Sequence, residues 1–257
     1  PLWRRSPSDI SEEEYRTFYR EKFYDYEQPV KVIHFEAEGL TSFRALLFIP
    51  AKAPYDYYTK NFEKGLQLYS NGVLIMDKCK DLLPDYFGFV RGLIDSPDLS
   101  LNISRELLQH DRQLKRIAKS VEKKIKGELI KLMTEDSAAY EKFFDAFGLQ
   151  LKYGVYADFG VNREALQDLL IFRSSKDGAF VSLKEYDERM KEGQKAIYYA
   201  CGETYDAAAM LPQAEAVTAR GFEVLYLKDD VDEFALRVLT DNGGYMEHPF
   251  LNVCDES

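Results

Sequence analysis

The chain has 257 residues, 46% hydrophobic and 30% charged, a composition typical of globular proteins with one large or two ordinary domains. Its formal net charge of -10 argues against nucleic-acid binding, which needs a basic face. The densest basic stretch, 115–126, alternates with apolar residues and is interpreted as the solvated face of a helix. No apolar run approaches the roughly 18 residues of a membrane-spanning helix, so we expect no membrane partner.

The cysteines and histidines indicate which disulfide and metal sites the chain can form. Cys79, Cys201 and Cys254 are odd in number and far apart, which predicts neither a disulfide framework nor a zinc site. The three histidines show no metal-ligand spacing, so no bound metal is expected. A reducing, cytoplasmic setting fits best. The start at Pro1, with no methionine and no signal peptide, suggests a segment of a longer protein.

The first third of the chain predicts a mixed α/β pattern. Its elements in order are a helix over 10–23, strands over 30–35, 43–49, 66–69 and 73–76, a helix over 83–90 and a strand over 92–95. Ser11 opens a plausible capping box for the first helix. The strand over 43–49 is apolar almost throughout, which indicates burial on both faces. Asn71–Gly72 is a strong hairpin-turn signal.

A loop after the second strand is crowded with tyrosines: Tyr55, Tyr57 and Tyr58. Tyrosine offers a large contact area at low entropy cost, so this loop suits binding of another polypeptide. The alternative is that these rings fold back onto their own core.

The polar stretch 95–104 leads into a long amphipathic helix, for which Ser104 is the predicted N-cap. Arg105 then falls where the helix dipole disfavours a cation. An arginine in such a place suggests phosphate binding, because its fixed fork of donors suits phosphate oxygens. The alternative is an arginine paired with a carboxylate elsewhere in the fold.

The remaining chain alternates helices and strands. After the helix over 104–133, the predicted elements are a helix capped by Thr134 or Asp136 and ended by Gly148, a helix capped by Asn162, a capping-box helix over 182–190, a strand over 196–200, a helix over 206–219, a strand over 222–227 and a helix over 232–239. Residues 129–172 are interpreted as a rigid helical spacer. The later alternation predicts a small parallel sheet with right-handed crossovers. Cys201–Thr204 lacks the glycine spacing of a nucleotide site.

Several stretches together resemble the middle segment of heat-shock protein 90 chaperones, and most closely the bacterial high-temperature protein G branch of that family. They are Pro1–Trp3, Phe43–Pro50, Ala53–Asp56, Leu74–Asp77, Gly92–Ser96 and Leu101–Glu106. The resemblance spans essentially the whole chain, in order and with similar spacing, so it is more specific than any single motif.

This resemblance implies an α/β (α+β) fold of two α/β/α sandwiches joined by a helical spacer. The larger sandwich, 1–128, would be similar to the second domain of ribosomal protein S5; the spacer would be 129–172 and the smaller sandwich 173–257. The family binds ATP and Mg in a separate N-terminal domain, so no cofactor is expected in this chain. Full-length members are homodimers through a C-terminal domain, whereas this segment is expected to be monomeric and inactive alone.

The resemblance also implies functional residues. Arg105 matches the arginine that this family supplies to the γ-phosphate of ATP. Gln109 matches the polar residue that supports the closed ATPase state, and Asn102 matches the loop asparagine whose expected role is to hold the loop's shape.

Further matches concern binding of partly folded client proteins and of the N-terminal domain. They are Tyr26, where an exposed tryptophan is common, the tyrosine loop of Tyr55, Tyr57 and Tyr58, and the acid-aromatic pair Glu233–Phe234. Ordinary packing is the alternative for Phe234. At Ser70–Leu74 the chain lacks the basic residue and phenylalanine of many members, which leaves Leu74 as an apolar docking contact.

Two other functions remain as alternatives. A gyrase-type transducer domain shares the fold but would present a catalytic lysine and a basic DNA-binding face. A free-standing enzyme built on the small α/β unit would need paired carboxylates, a Ser-His-Asp arrangement or a glycine-rich phosphate loop, and the sequence offers none of these.

Overall fold

A computed structural model of the chain describes residues 1–99 and 111–255. The chain divides into two compact units, Pro1–Phe147 and Gly148–Ser257, each built on a five-stranded mixed sheet. The strands are β1 Lys31–Ala37, β2 Phe43–Ile49, β3 Leu66–Ser70, β4 Val73–Cys79, β5 Arg91–Asp95, β6 Ile171–Ser174, β7 Phe180–Ser182, β8 Ile197–Cys201, β9 Val224–Leu227 and β10 Phe250–Asn252. The described α-helices are α1 Glu12–Phe23, α2 Arg112–Glu135, α3 Ser137–Tyr156, α4 Arg163–Leu166, α5 Leu183–Glu188, α6 Tyr205–Ala209, α7 Pro212–Ala219 and α8 Asp230–Asp241. The division into 1–128, 129–172 and 173–257 stays a prediction.

The sheet of the first unit has the strand order β1-β2-β5-β3-β4. Strand β2 pairs antiparallel with β1 and with β5, and β5 pairs parallel with β3. On one face of β2, Leu46 and Phe48 pack against Trp3 and Tyr19. The intervening residues are also buried, so the prediction of a strand covered on both faces is confirmed.

Two local signals in the first unit give a helix cap and a hairpin turn. Ser11 Oγ accepts a hydrogen bond from the Glu14 N–H at 3.2 Å and caps α1. Asn71 and Gly72 have φ values of 49° and 80°, the left-handed pair that a tight hairpin turn between β3 and β4 requires.

The predicted helix over 83–90 is wrong. The structure has only a short 3₁₀ turn, Asp85–Phe87, in that stretch. Leu83 is extended with φ -131°, as expected for a residue before proline, and Pro84 precedes the turn. Phe87 and Phe89 are buried there without helical periodicity.

Asp136 caps α3 by accepting a hydrogen bond from the Ala139 N–H at 3.1 Å, which decides between the two predicted caps. The expected stop at Gly148 is wrong, because the helix continues to Tyr156. Phe147, Leu151 and Val155 are fully buried at helical spacing along it. Burial of this stripe outweighs the roughly 1 kcal/mol cost of an interior glycine.

The sheet of the second unit has the order β10-β8-β9-β6-β7. Strands β10, β8 and β9 are parallel, as predicted for the α/β alternation. Strand β6 runs antiparallel to both β9 and β7, so the expectation of an all-parallel sheet is wrong. The missed strands have three or four residues each, which is too short to give a period-2 pattern.

Two helix predictions in the second unit need correction. The helix predicted over 206–219 is two helices, because the chain turns at Met210 and restarts at Pro212, whose missing N–H suits a first helical position. Asn162 makes no side-chain capping bond to α4.

Two capping boxes define other helix starts. Ser182 and Glu185 form the predicted box that opens α5. Asp229 and Asp232 form a second box, which was not predicted, and it opens α8 two residues before the expected start.

Candidate functional site

The predicted catalytic residues Asn102, Arg105 and Gln109, together with the predicted cap Ser104, lie outside the described residues. What the structure describes are the two chain segments on either side, ending at Leu99 and beginning again at Asp111.

Asp95 lies at the end of β5 and is 5% exposed. Its Oδ2 accepts hydrogen bonds from Trp3 Nε1 at 2.9 Å and Arg4 Nε at 3.3 Å. Its Oδ1 accepts from the Gly72 N–H at 3.2 Å. Loss of the Asp95 carboxylate would leave three donors unpaired, at a cost of about 1–3 kcal/mol for each one that is buried. The end of β5 is therefore fixed.

Hydrogen bonds to Ser42 and Ser70 hold the chain that follows Asp95. Ser96 Oγ donates to the Ser42 carbonyl at 2.7 Å, and the Ser42 N–H donates to Asp98 Oδ2 at 2.7 Å. Ser70 Oγ donates to the Leu99 carbonyl at 2.6 Å, and both Ser70 and Leu99 are buried. The main chain is thereby pinned as far as Leu99.

On the other side of residues 100–110, the chain is fixed by a helix cap at Asp111. Asp111 Oδ1 accepts hydrogen bonds from the backbone N–H groups of Gln113 at 2.7 Å and Leu114 at 3.0 Å. A capping carboxylate also complements the positive N-terminal end of the α2 dipole. Leu114 is buried, so the first turn of α2 is packed as well as capped.

An open cavity of about 230 Å³ lies beside the end of β5. Its charged lining residues are Arg4, Glu36, Arg44 and Asp95. Arg4 pairs with Asp95 at 3.3 Å and Arg44 pairs with Glu36 at 3.5 Å. The two charges cancel within each pair, so the described part of the cavity is polar without an excess of either charge.

His34 links this region to the core of the first unit. Its Nε2 lies 3.1 Å from the Trp3 carbonyl, which can only accept, so Nε2 carries the proton and Nδ1 accepts from the Tyr15 hydroxyl at 2.7 Å. Burial lowers the pKa of His34, the hydrogen bond to Trp3 opposes this, and the nearby Arg44 adds to the lowering.

We therefore expect acid to weaken the first unit through His34. A histidine whose pKa is lower in the folded state stabilises the fold above its unfolded pKa of about 6.5, and this stabilisation is lost as the pH falls through the folded pKa. Urea unfolding at a series of pH values should give a steeper loss of unfolding free energy below about pH 6.5 for the wild type than for His34→Gln. Equal slopes would contradict the neutral tautomer.

The predicted partner-binding residues of the first unit differ in exposure. Tyr26 is 86% exposed and Tyr55 fully exposed. Tyr58 is half-exposed, and its hydroxyl donates to the Ala146 carbonyl at 3.0 Å. Leu74 is also half-exposed, on strand β4. These four side chains are accessible in the first unit.

Tyr57 is different, because it is 6% exposed. Its ring makes edge contacts with Tyr58, Phe62 and Phe147 at centroid separations of 4.8, 4.7 and 5.2 Å. Burial also raises its pKa far above the usual tyrosine value. Tyr57 corresponds to the alternative of a ring folded onto its own core, so its assignment to a contact surface is corrected.

The pair Glu233–Phe234 lies in the first turns of α8. Glu233 accepts hydrogen bonds from Asn252 Nδ2 at 2.9 Å and Arg237 at 3.2 Å, and the Cys201 thiol lies 3.6 Å away. Burial alone would raise its pKa, but the hydrogen bonds from Asn252 and Tyr199 hold it below the usual value. Glu233 is therefore anionic at neutral pH. Half-exposed Phe234 contacts Tyr156 at a centroid separation of 5.9 Å.

Nothing in the sequence pattern singled out Trp3, Arg4 and Asp95 as the residues that fix the end of β5. The available signal was the single tryptophan of the chain, together with an acid at the end of a buried strand. The sequence pattern also missed Phe159, the most exposed phenylalanine of the second unit, which stands directly before a glycine in Asp158–Gly160.

Comparisons with known proteins agree over the whole chain. Residues 1–257 match the family model described as Hsp90 protein. The chain is 58% identical over 256 residues to the chaperone protein HtpG of Clostridium acetobutylicum, covering 100% of this chain and 40% of that protein. It is 59% identical over 239 residues to HtpG of Alkaliphilus oremlandii, covering 93% of this chain and 38% of that protein. The solved middle domain of a heat shock protein from Plasmodium falciparum superposes with a TM-score of 0.84 at 32% identity, covering 98% of this chain and 99% of that one.

The two mixed sheets and this superposition define the middle domain of a molecular chaperone. The chain belongs to the Hsp90 family. Its similarity to bacterial HtpG confirms the resemblance and decides against a gyrase-type transducer domain. The chain spans about 40% of the length of the HtpG proteins it matches.

Within 1–99 and 111–255, no helix is long and apolar enough to cross a membrane. In the same part of the chain, no group of three or more His, Cys, Asp or Glu side chains is arranged to hold a metal ion.

Proposed function

We propose that this chain acts as the middle segment of an ATP-dependent chaperone and that Arg105 contacts the γ-phosphate of ATP held by an N-terminal domain. The observation that carries the proposal is the fixation of the chain on both sides of the arginine, by the Asp95 network and by the Asp111 cap. Anchored ends limit the conformations open to the segment between them, which reduces the entropy cost of placing a guanidinium on a phosphate.

The nucleotide and Mg²⁺ belong to the N-terminal domain in this proposal, because the chain has no glycine-rich phosphate cradle. Arg105 would neutralise charge on the transferring phosphoryl group, as arginine fingers do. Gln109 would support the closed state and Asn102 would hold the shape of the loop. The chain alone is therefore inactive.

The same chain would contribute to binding of partly folded client proteins. Exposed Tyr26, Tyr55 and Tyr58 support this role in the first unit, and Glu233 with Phe234 supports it in the second. Aromatic rings with accessible faces are the side chains that most often dominate protein contacts.

The remaining partners follow from family membership. Leu74 would give the N-terminal domain an apolar contact, and a C-terminal domain would make the full-length protein a homodimer. Residues 1–128 and 173–257 would form the two α/β/α sandwiches on either side of a 129–172 spacer. The setting would be the bacterial cytoplasm.

The test adds the purified chain to an isolated HtpG N-terminal ATPase domain and measures ATP hydrolysis. We expect stimulation by the wild-type chain and none by an Arg105→Ala chain. Stimulation that survives the substitution would overturn the assignment of Arg105, and absence of stimulation by the wild type at saturating concentration would overturn the proposed contact between the two segments.

A further inference from the structure

Four aromatic side chains of the second unit form a surface that we call the aromatic strip: Tyr153, Tyr156, Phe159 and Phe234. Tyr153, Tyr156 and Phe234 are each about half-exposed, and Phe159 is 92% exposed. Tyr156 and Phe234 touch across α3 and α8, with 5.9 Å between ring centroids. Exposed aromatic side chains grouped on neighbouring elements commonly mark an interaction site.

The backbone around Phe159 holds its ring outward. Asp158 and Phe159 have φ values of 51° and 57°, a left-handed conformation that is unusual for a bulky residue. The Phe159 carbonyl accepts from Asn242 Nδ2 at 3.1 Å, and the Gly160 carbonyl accepts from Arg163 at 3.0 Å. Strain that persists because its surroundings over-determine it is a feature of functional sites.

Gly160 locks the same turn onto α8. Its φ is +85°, and a Cβ at this position would lie 2.5 Å from Val238 Cγ1. The turn therefore packs directly against the helix that carries Phe234. Phe159 is thereby held beside α8, the helix that carries Phe234.

The other end of the strip is fixed by a buried ion pair. Lys152, which precedes Tyr153 on α3, is 6% exposed and pairs with Asp232 at 2.7 Å and Asp229 at 3.3 Å. Desolvation by burial raises the pKa of Asp232, and the Lys152 ammonium opposes this. The start of α8 is thereby joined to α3, and the aromatic strip is preorganised.

The charge of the chain is concentrated in this unit. Residues 148–257 carry 20 acidic and 11 basic side chains, whereas residues 1–147 carry 24 and 23. Asp158 directly precedes Phe159 in its turn, and Asp230 begins α8, the helix that carries Phe234. An aromatic surface within an acidic field attracts cations and repels anions.

We infer that the aromatic strip binds extended polypeptide segments whose apolar side chains are flanked by Lys and Arg. This inference rests on the proposed client-binding function and gives it a chemical class. Nucleic acids and anionic lipid surfaces carry the wrong charge, and so does a second copy of this acidic unit. Tyr153 and Tyr156 also bring hydroxyl groups, which can pair with the exposed backbone of an extended chain.

The test uses the 257-residue chain and fluorescein-labelled peptides measured by fluorescence anisotropy. One peptide has Phe and Leu flanked by Lys and Arg, and its partner peptide has Glu in place of every Lys and Arg. We expect the cationic peptide to bind about ten-fold more tightly, with affinity that falls as salt rises from about 0.05 to about 0.3 M. Equal affinity for the two peptides would overturn the inference.

Phe159→Asn is the matching variant, because asparagine tolerates the left-handed conformation and keeps the fold. We expect it to weaken binding of the cationic peptide roughly five-fold without lowering the melting temperature. Asp158→Asn should reduce the salt dependence, since it removes one charge and suits the same backbone. Unchanged affinity in Phe159→Asn would overturn the inference.

Met210→Asn is the control for exposed apolar area. Met210 is 73% exposed and precedes α7. Helix α7 packs through Ala214 and Val217 on the face of the sheet that carries Tyr198 and Ala200. Helix α8 contacts Cys201, which points to the opposite face, so Met210 lies on the other side of the sheet from the aromatic strip. The Met210→Asn chain should bind the cationic peptide like the wild type. A loss of affinity equal to that of Phe159→Asn would count against the aromatic strip. A loss in Phe234→Ser with none in Phe159→Asn would keep the proposed client surface and reject the extension to Phe159.

Discussion

Replacing Arg105 by alanine in a full-length HtpG chaperone that carries this segment should leave ATP binding nearly intact and lower turnover about 10³-fold or more. The reason is that, in the proposed function, the guanidinium would contact charge that develops during phosphoryl transfer, whereas another domain would hold the ground-state nucleotide. A group that acts mainly in the transition state changes kcat and leaves the dissociation constant of ATP almost unchanged. Steady-state hydrolysis and equilibrium nucleotide binding measure the two quantities separately.

Arg116→Ala is the matched control for this variant. Arg116 is an exposed cation on α2, and removing it subtracts one positive charge without touching the proposed contact. Its turnover should stay within about two-fold of the wild type. If Arg105→Ala kept full activity, or if both variants lost activity equally, the arginine would have no specific role.

Gly92→Ala should destabilise the first unit by about 3 kcal/mol or more. Gly92 has a φ of +136°, and a Cβ would overlap the backbone carbonyl oxygen of Leu46 on the central strand β2. Neither strand can move away, because Leu46 and Leu93 pair in the register that places both in the core. Urea unfolding of the 257-residue chain gives the change in unfolding free energy.

Gly127→Ala is the opposite case and serves as the control. Gly127 is an exposed residue within α2, and no neighbouring atom lies within 4 Å of the position that its Cβ would take. Alanine there should raise the unfolding free energy by about 0.5–1 kcal/mol. Similar effects of the two substitutions would contradict the close approach of β5 to β2.

Local signals in the sequence predict those turns and helix starts that depend only on neighbouring residues. Asn71–Gly72 turns the chain because both positions need positive φ, and Ser182 begins a helix because its own neighbours complete the capping box. Pro212 should have divided the helix predicted over 206–219, since proline starts helices and does not continue them.

The failures have tertiary causes. Gly148 does not end its helix, because buried Phe147 and Leu151 on either side stabilise the continuing turns. Tyr55 and Tyr57 stand two residues apart in one loop, yet one is fully exposed and the other buried. No pattern within the loop distinguishes them, since the burial of Tyr57 depends on Phe147 about ninety residues away.

The residues of the candidate site also differ in whether a local stretch of sequence or only the tertiary fold indicates them. Arg105 stays a prediction that comes from the stretch in which it stands, whereas the Asp95 network joins Trp3 and Gly72 through separations of 92 and 23 residues. Phe159 is a third case, because its exposure follows from a strained turn that packing of Gly160 against α8 and the hydrogen bond from Asn242 hold in place.

The most direct measurement of the role of Arg105 compares affinity for ADP with affinity for ADP plus aluminium fluoride, which imitates the transferring phosphoryl group, in the full-length wild type and Arg105→Ala. We predict that the wild type prefers the mimic and that the variant loses this preference by about 10²-fold or more while its affinity for ADP is unchanged. An undiminished preference for the mimic in Arg105→Ala would contradict a guanidinium that reaches the γ-phosphate.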